Sequence, residues 1–379
     1  MKLFAFVLFA FLAPAVHAES SALPLPPAPS VAAKSWVLSD FSSGQTLVSQ
    51  NANERVEPAS LTKLMTAYLT FAALKQKRIS ADQTLPVSGK AWRTEGSRMF
   101  IEPNKPVTVD QLIHGMIIQS GNDACITLAE GIAGSEETFA QMMNQQAQRL
   151  GMSNTHFVNS TGLPHPQHYT TAHDLSLLAS AIIRDFPDFY PLYSIKEYKY
   201  NNITQPNRNR LLWLDPYVDG MKTGHTESAG FCLITSGRRG PRRLISVVLG
   251  TESDNARTME SQKLLNYGFQ FYDTVRVYQK GQTVSTLRVW KGAQKTLNAG
   301  FDRDVYVALP KGHYPRLAAS ISSAQPLLAP VSAGRKVGTL KLALDGKPLA
   351  EHPLSALENI EIGNIFGRTW DDIKLMFAK

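Results

Sequence analysis

The chain has 379 residues, of which 43% are hydrophobic and 18% are charged, the composition of an ordinary globular protein. This length exceeds the usual size of one domain, so we expect about two domains. The formal net charge of +8 fits a protein that works near a cell wall or lipid headgroups, and equally a soluble protein that binds neither. Only two cysteines are present, so stability must come from packing; Cys125 and Cys232 are predicted to be small core residues, in preference to a disulfide or zinc ligands.

The chain begins with a segment typical of a secretory signal peptide. The stretch "MKLFAFVLFAFLAPAVHAES" contains Lys2 and an apolar run too short to span a bilayer, and it ends in Val16-His17-Ala18. We therefore expect residues 1–18 to be removed on export, and export argues against nucleic acid as a partner. Residues 19–34 are rich in proline, alanine and serine, which predicts an extended linker.

An α+β domain is predicted for residues 35–281. Residues 35–51 alternate apolar and polar side chains around Ser43-Gly44, which predicts a β-hairpin. Between residues 58 and 185 apolar side chains recur at helical spacing, as at Leu112 and Met116. The stretch "GFCLITSGRRGPRRLISVVLGT" then predicts two strands joined by a turn. This half of the chain is therefore expected to be an antiparallel sheet that carries a cluster of helices.

The remaining chain predicts a small all-β domain at residues 282–358 and a helix at residues 359–379. The β domain is indicated by short strands with turn signals, including Asp345-Gly346. One face of the helix is apolar: Ile362, Ile365, Phe366, Trp370, Ile373, Met376 and Phe377. The opposite face carries Arg368, Asp371, Asp372 and Lys374.

A helix of this kind can lie in a membrane interface with its apolar face buried. The alternative is a terminal helix that packs on its own domain. From Glu361 to Lys379 three basic residues balance three acidic ones, so anchoring would depend on apolar burial more than on attraction to anionic lipid. We prefer the membrane-anchoring interpretation.

The first candidate site lies in "PASLTKLMTAYL", where Ser60 precedes Lys63 by three residues on a predicted helix. Residues three apart share a helix face, so the two side chains can touch. A buried lysine beside another cation loses part of its preference for the charged form and can accept the hydroxyl proton during attack. The alternative is that Ser60 caps the helix, although the capping box has Glu or Gln where Lys63 stands.

Two further short motifs follow. Ser120-Gly121-Asn122 lies between two helical segments, where a turn can direct a hydroxyl and an amide into a cleft; alone, it fits a capped helix-helix turn better. Lys222-Thr223-Gly224 enters the strand pair, where a peptide could lie beside an edge strand with its carboxylate held; the alternative is a surface strand with a solvated lysine. The order S-x-x-K, S-G-N, K-T-G is the signature of serine penicillin-binding proteins and β-lactamases.

With these motifs, residues 35–272 resemble the low-molecular-mass penicillin-binding proteins, the serine-type D-alanyl-D-alanine carboxypeptidases. The resemblance implies that Ser60 is acylated, that Lys63 is the base and that Ser120 and Asn122 flank the cleft. It implies that Lys222 and Thr223 bind the substrate carboxylate, beside Gly224, and that the backbone N–H groups of Ser60 and His225 form the oxyanion hole. Arg208 and Arg257 match arginines near the family's site, and the alternative for each is an exposed loop arginine.

The resemblance also implies the substrate and the cellular location. The substrate would be a peptidoglycan stem pentapeptide, β-lactams would acylate Ser60, and the enzyme would work at the periplasmic face of the bacterial inner membrane. No metal or other cofactor is expected, because His165 and His168 lie in a proline-interrupted stretch without the helix and glutamate of a zinc protease. The β domain would hold the catalytic domain away from the membrane or recruit cell-wall proteins.

Three other functions use the same residues. A class A β-lactamase deacylates with a glutamate in an E-x-x-L-N stretch between the second and third motifs, and the sequence has none. A transpeptidase or D,D-endopeptidase would share all three motifs, and the site residues alone do not decide against it. A wall-binding protein without turnover is disfavoured because every motif residue is present.

Overall fold

The computed structural model describes residues 26–323 and 325–377, and it confirms the predicted fold class. The predicted signal peptide and the first part of the predicted linker lie outside the described residues. Helices α1 to α9 comprise Lys63–Lys75, Gly89–Arg93, Val109–Ile118, Asn122–Ala133, Glu136–Arg149, Ala172–Asp185, Leu211–Leu214, Asp254–Phe271 and Ile365–Phe377. Short 3-10 turns occur at Ala59–Thr62, Tyr190–Ser194 and Tyr314–Arg316.

The strands divide into two groups along the chain. Strands β1 to β9 comprise Ser35–Asp40, Thr46–Gln50, Thr84–Leu85, Val107–Thr108, Glu197–Tyr200, Ile203–Pro206, Val218–Thr226, Gly230–Arg239 and Arg242–Thr251. Strands β10 to β17 comprise Tyr272–Tyr278, Ser285–Trp290, Thr296–Gly300, Val305–Pro310, Leu317–Ser323, Leu327–Leu328, Lys336–Leu344 and Lys347–Ala356.

The N-terminal domain is built on an antiparallel sheet in the order β2-β1-β9-β8-β7, which leaves β7 at an edge. Successive side chains of a strand point to opposite faces, so each strand contributes to two cores. In β1, Leu38 packs in the core that includes Leu264 of α8, while Val37 packs in the core that includes Leu64 of α1. The sheet therefore separates α8 from the helical cluster. The antiparallel sheet with a cluster of helices that the sequence predicted is confirmed.

The turn between α3 and α4 has the conformation that the second motif requires. Helix α3 starts with a capping box in which Thr108 and Gln111 satisfy each other's backbone N–H groups. After the helix ends, Ser120 adopts a left-handed φ of 61°, and α4 begins at Asn122. The predicted turn between two helices is thus confirmed, and the left-handed residue reverses the chain at the serine.

The C-terminal domain is all-β, as predicted, with a six-stranded sheet in the order β14-β16-β17-β12-β11-β15. Asp345 and Gly346 form the predicted turn between β16 and β17, with φ values of 53° and 76°. Strand β10 pairs with β13 rather than with the catalytic sheet. We therefore propose that this domain begins at Tyr272 and not at residue 282, because β10 belongs to it by pairing.

The described part of the predicted linker, residues 26–34, forms neither helix nor strand, yet it packs on the catalytic domain. Val31 is buried in the core beside α8. Tyr267 donates a hydrogen bond to the carbonyl of Pro26, and Lys263 donates one to the carbonyl of Ser30. The segment is therefore extended but held against α8.

The C-terminal helix is shorter than predicted. It begins at Ile365 and not at residue 359, because Ile362 forms a β-bridge with Gly292 and so cannot continue the helix. Ile362 is therefore not part of the helical face to which the sequence pattern assigned it. The backbone N–H of Lys291 donates a hydrogen bond to Asp371 at 2.6 Å, so α9 contacts the β domain through its polar face.

The apolar face of α9 points outward. Phe366 is 87% exposed, Met376 76% and Trp370 58%. Among the described residues, no helix combines the length and apolar character that a transmembrane span requires.

Candidate active site

The first motif places a serine and a lysine in direct contact. Ser60 lies in the 3-10 turn before α1, and the N-cap positions of that turn and of α1 are Pro58 and Thr62, so Ser60 does not cap either. The Nζ of Lys63 donates to Ser60 Oγ at 2.8 Å and to the carbonyl of Thr161 at 2.6 Å. Because Lys63 is only 1% exposed, its amine is held between these two oxygens without bulk water.

Close backbone packing holds the nucleophile turn in place. Ala59 has a φ of 47°, a conformation that is unusual for a residue with a side chain. Gly162, with a φ of 87°, lies against it so closely that a Cβ there would sit 1.8 Å from the Ala59 carbonyl oxygen. On the other side, a Cβ on Gly224 would sit 3.1 Å from the carbonyl oxygen of Pro58. The turn that carries Ser60 is therefore confined between two glycine-containing segments.

A second lysine and a second serine are also in hydrogen-bond contact. Lys222 of β7 donates to Ser120 Oγ at 2.9 Å and to the carbonyl of Thr223 at 3.2 Å. Lys222 and Ser120 are both buried. Next to them, Asn122 donates through Nδ2 to the carbonyl of Glu95 at 2.6 Å. The structure thus brings the second and third motifs together.

Both lysines lose part of their affinity for a proton. Burial lowers the pKa of Lys63 to about 8; in smaller measure Cys125 raises it and the charge of Arg208 lowers it. Burial, followed by the charges of Lys63 and Arg208, lowers the pKa of Lys222 well below its ordinary value. With the pKa of Lys63 lowered to about 8, the neutral form that a base needs is accessible near neutral pH.

The remaining predicted residues line or support the edge of the cleft. Thr223 is buried beside Lys222, whereas His225 is exposed and its ring packs on Phe231 with centroids 4.0 Å apart. Arg257 is buried and donates to the Gly224 carbonyl at 3.1 Å, so it supports β7 from behind. Arg208 is exposed, close enough for its charge to lower the pKa of both lysines.

Two further residues shape this site, and neither role was predicted from the sequence. Asp123 accepts hydrogen bonds from the backbone N–H groups of Met99, Phe100 and Ile101, which fixes a segment next to Asn122. Cys125 is a buried free thiol whose pKa burial raises to about 12; it is a core residue, as predicted, but it lies beside both lysines. Only the "GND" sequence around Asp123 offered a signal, since a carboxylate at the start of a helix is a frequent acceptor.

His168 supports the helix that follows Ser60, because both of its ring nitrogens have hydrogen-bond partners within the protein. Val158 N–H donates to its Nδ1 at 3.3 Å, so Nε2 carries the hydrogen and donates to Thr62 Oγ1 at 2.8 Å. His165 is exposed and accepts a hydrogen bond from Gln167 N–H. In the described part of the chain, no three His, Cys, Asp or Glu side chains are grouped as metal ligands.

Fold and site together define a class of serine enzyme. A serine and a buried lysine lie at the start of a helix, between an edge strand and a helix-helix turn, and this arrangement suits acyl transfer. The profile of the D-alanyl-D-alanine carboxypeptidase family matches residues 22–253, and that of the C-terminal domain of penicillin-binding protein 5 matches residues 272–362. The chain belongs to the D-alanyl-D-alanine carboxypeptidase family.

Individual relatives agree with this assignment. The D-alanyl-D-alanine carboxypeptidase DacC of Escherichia coli (strain K12) is 44% identical over 378 residues, which is 98% of this chain and 94% of the relative. The structure of penicillin-binding protein 5 from Haemophilus influenzae is 38% identical with a TM-score of 0.84, covering 89% of this chain and 99% of that one. Penicillin-binding protein D2 from Listeria monocytogenes, solved with ampicillin, is 32% identical with a TM-score of 0.60, covering 64% and 100%.

Acid should destabilise the fold through His168. Burial, followed by the charge of His156, lowers the pKa of His168 to about 4 from 6.5. Between these values the unfolded chain binds a proton that the folded chain does not, so the free energy of unfolding should fall by roughly 3 kcal/mol as the pH drops across this window. Denaturant unfolding at a series of pH values measures this change.

Two variants separate His168 from other titrating groups. His168→Gln can still donate to Thr62 and should lose this part of the pH dependence. His165→Gln, in the same loop but exposed, should keep most of it, because burial and not the charge of His165 is the largest cause of the lowered pKa of His168. An unchanged pH dependence in His168→Gln would show that another group is responsible.

Proposed function

We propose that this protein is a serine-type D-Ala-D-Ala carboxypeptidase that removes the terminal D-alanine from peptidoglycan stem pentapeptides through an acyl-enzyme on Ser60. The observation that carries the proposal is the pair of buried lysine–serine contacts, Lys63 with Ser60 and Lys222 with Ser120. Family membership supports the reaction and the substrate class.

Each side chain has a step that its position suits. Neutral Lys63 takes the hydroxyl proton as Ser60 Oγ attacks the carbonyl of the penultimate D-alanine. Ser120, hydrogen-bonded to Lys222, relays the proton that Lys63 has taken to the departing amine of the terminal D-alanine, so that Lys63 returns to its neutral form. Water then hydrolyses the ester, which restores Ser60.

Recognition would come from the edge of the sheet. The substrate lies along β7, where its terminal carboxylate meets Lys222 and Thr223 with Arg208 nearby, and Gly224 permits close approach. The backbone N–H groups of Ser60 and His225 stabilise the oxyanion, and the Asn122 amide binds a substrate carbonyl. Arg257 acts indirectly, by supporting β7 at Gly224.

β-Lactams should acylate the same serine. The ampicillin-bound relative from Listeria monocytogenes supports this, because it shares the fold over 64% of this chain. A strained lactam carbonyl would replace the scissile amide, and Ser60 would form the same kind of ester. Family membership favours the carboxypeptidase over a β-lactamase, an endopeptidase or a wall-binding protein without turnover.

Replacement of the nucleophile tests the proposal. Ser60→Ala should lower D-alanine release from a pentapeptide ending in D-Ala-D-Ala on the order of 10⁶-fold, because acylation loses its nucleophile. Mass spectrometry should place penicillin on Ser60 in the parent protein and on no residue in the variant. Lys77→Ala, at an exposed position just after the C-terminal end of α1 and away from Ser60, should keep full activity. Undiminished D-alanine release by Ser60→Ala would contradict the proposal.

We further propose that residues 1–18 direct export and that α9 holds the enzyme at the periplasmic face of the inner membrane. The contact of Asp371 with the backbone of Lys291 supports this, since it turns the polar face of α9 inward and leaves Phe366 and Trp370 exposed. Lys291 also pairs with Asp372. Buried apolar side chains would provide most of the binding free energy. The β domain would then lie between the membrane and the catalytic domain, where it could also contact cell-wall proteins.

Vesicle sedimentation tests the anchor. The double variant Phe366→Glu/Trp370→Glu should bind phosphatidylcholine vesicles at least on the order of 100-fold more weakly, since two large apolar side chains no longer enter the interface. Ile321→Glu/Leu328→Glu is a matched control at exposed positions elsewhere in the β domain and should bind like the parent. Equal binding by both double variants would contradict anchoring through α9.

A further inference from the structure

Glu136, at the start of α5, has contacts that a helix-capping or surface role does not require. It is 6% exposed, and its Oε1 accepts hydrogen bonds from Ser160 N–H at 2.9 Å and from Ser160 Oγ at 2.6 Å. Its Oε2 pairs with Lys90 Nζ at 2.8 Å. The cap of α5 is Ser135, which accepts from Thr138 N–H. Both oxygens of a buried carboxylate are therefore used to hold a residue of another segment and one lysine.

Ser160 connects Glu136 to the lysine at the nucleophile. Its carbonyl accepts a hydrogen bond from Thr66 of α1 at 2.7 Å, and the next carbonyl, of Thr161, accepts one from Lys63 at 2.6 Å. Asn159 Oδ1 accepts from the backbone N–H groups of Thr161 and Gly162, which closes the turn. Glu136 is thus connected to the Lys63 amine in two steps: it holds Ser160, and the carbonyl of the next residue, Thr161, accepts the hydrogen bond from Lys63.

We propose that Glu136 is a positioning residue for Lys63: by holding Ser160, it fixes the Thr161 carbonyl that directs the Lys63 amine towards Ser60. The proposal rests on the proposed function, in which Lys63 is the base. Ser160 is fully buried, so its N–H and hydroxyl would have no other acceptor if the carboxylate were lost. The turn would then shift to find new partners, and the Thr161 carbonyl would move with it.

The adjacent residue provides a matched comparison. Glu137 stands in the same first turn of α5 and pairs with the same Lys90 at 2.9 Å, but its side chain is 74% exposed. A role in helix stability or in the lysine ion pair would be shared by both glutamates. A role in positioning Lys63 belongs to Glu136 alone.

The pH dependence of acylation reports on Lys63 directly. Hydrogen bonds from an ammonium group to a carbonyl favour the charged form, so a displaced Thr161 carbonyl should lower the pKa of Lys63. The other titratable or charged groups that act on Lys63 or respond to its charge, from the surrounding elements, are Asp123, Cys125, His168, Arg208 and Lys222. Among these groups, Cys125 also responds to Glu136, whose charge raises its pKa. Glu136→Gln removes that charge but keeps an oxygen for Ser160, so it separates the effect of the charge from the effect of position.

The experiment measures the rate of acylation by a fluorescent penicillin as a function of pH, together with the melting temperature of each variant. Glu136→Ala should lower the maximal rate on the order of 100-fold, because a small displacement of a base is costly, and should move the midpoint of the profile to lower pH. Glu136→Gln keeps an oxygen for Ser160 and should restore most of the rate and the midpoint. Glu137→Ala should match the parent in both.

Ser160→Ala decides the outcome if Glu136→Ala does not fold. It removes the hydroxyl contact with Glu136 but keeps the N–H contact, so the rate and the midpoint should change in the same direction by a smaller amount. The inference is overturned if the folded variants melt earlier but acylate at the parent's rate with the parent's midpoint. Labelling of Ser60→Ala would instead show that the proposed function is wrong, so the two failures are distinguishable.

Discussion

The site depends on the burial of two lysines, each against a serine. Lys63 is 1% exposed and Lys222 3%, so neither amine has the water that normally stabilises its charge. Each has instead a serine hydroxyl and one backbone carbonyl. Desolvation is the largest cause that lowers both pKa values, and the charge of Lys63 lowers the pKa of Lys222 further, so that a neutral amine is available beside Ser60.

The rest of the fold serves to hold this arrangement. The nucleophile turn, the α3–α4 turn and β7 come from three distant parts of the chain, and each brings one component of the two pairs. Close approach at Gly162 and Gly224 locks the turn that carries Ser60 from two sides. The carboxylate of Glu136 supports the loop whose carbonyl holds Lys63. The free-energy cost of burying two lysine amines is thus offset by the packing and hydrogen bonds of the segments around them.

Sequence patterns predicted the parts of the fold that have regular apolar spacing. The hairpin, the helical cluster, the strand pair β8–β9 and the β domain were found because apolar residues alternate or recur with helical period. Helix α8 was not predicted, since Arg257, Thr258 and Ser261 occupy buried positions where the pattern expects apolar side chains. The start of α9 and the assignment of β10 depend on pairing with distant residues, which local periodicity does not encode.

The site was predictable to the extent that it uses side chains in short motifs. Ser60, Lys63, Ser120 and Lys222 were predicted from the order of three motifs. The structure shows the predicted contact of Lys63 with Ser60, and also a contact of Lys222 with Ser120 that the sequence did not predict. Thr161 was missed because it acts through a backbone carbonyl, which any residue could supply. Glu136 was missed because its role follows from a contact with a loop 24 residues away in sequence, and nothing around it signals that contact.

The most direct test of this account is a titration of Lys63 itself. Selective ¹³C labelling of the lysine ε-carbons, with Lys63→Arg to assign the signal, gives the pKa of this amine by NMR. We expect a pKa of about 8, lowered from 10.5 by burial. A Lys63 amine that stays fully charged at pH values well above 8 would contradict the claim that burial makes it a base.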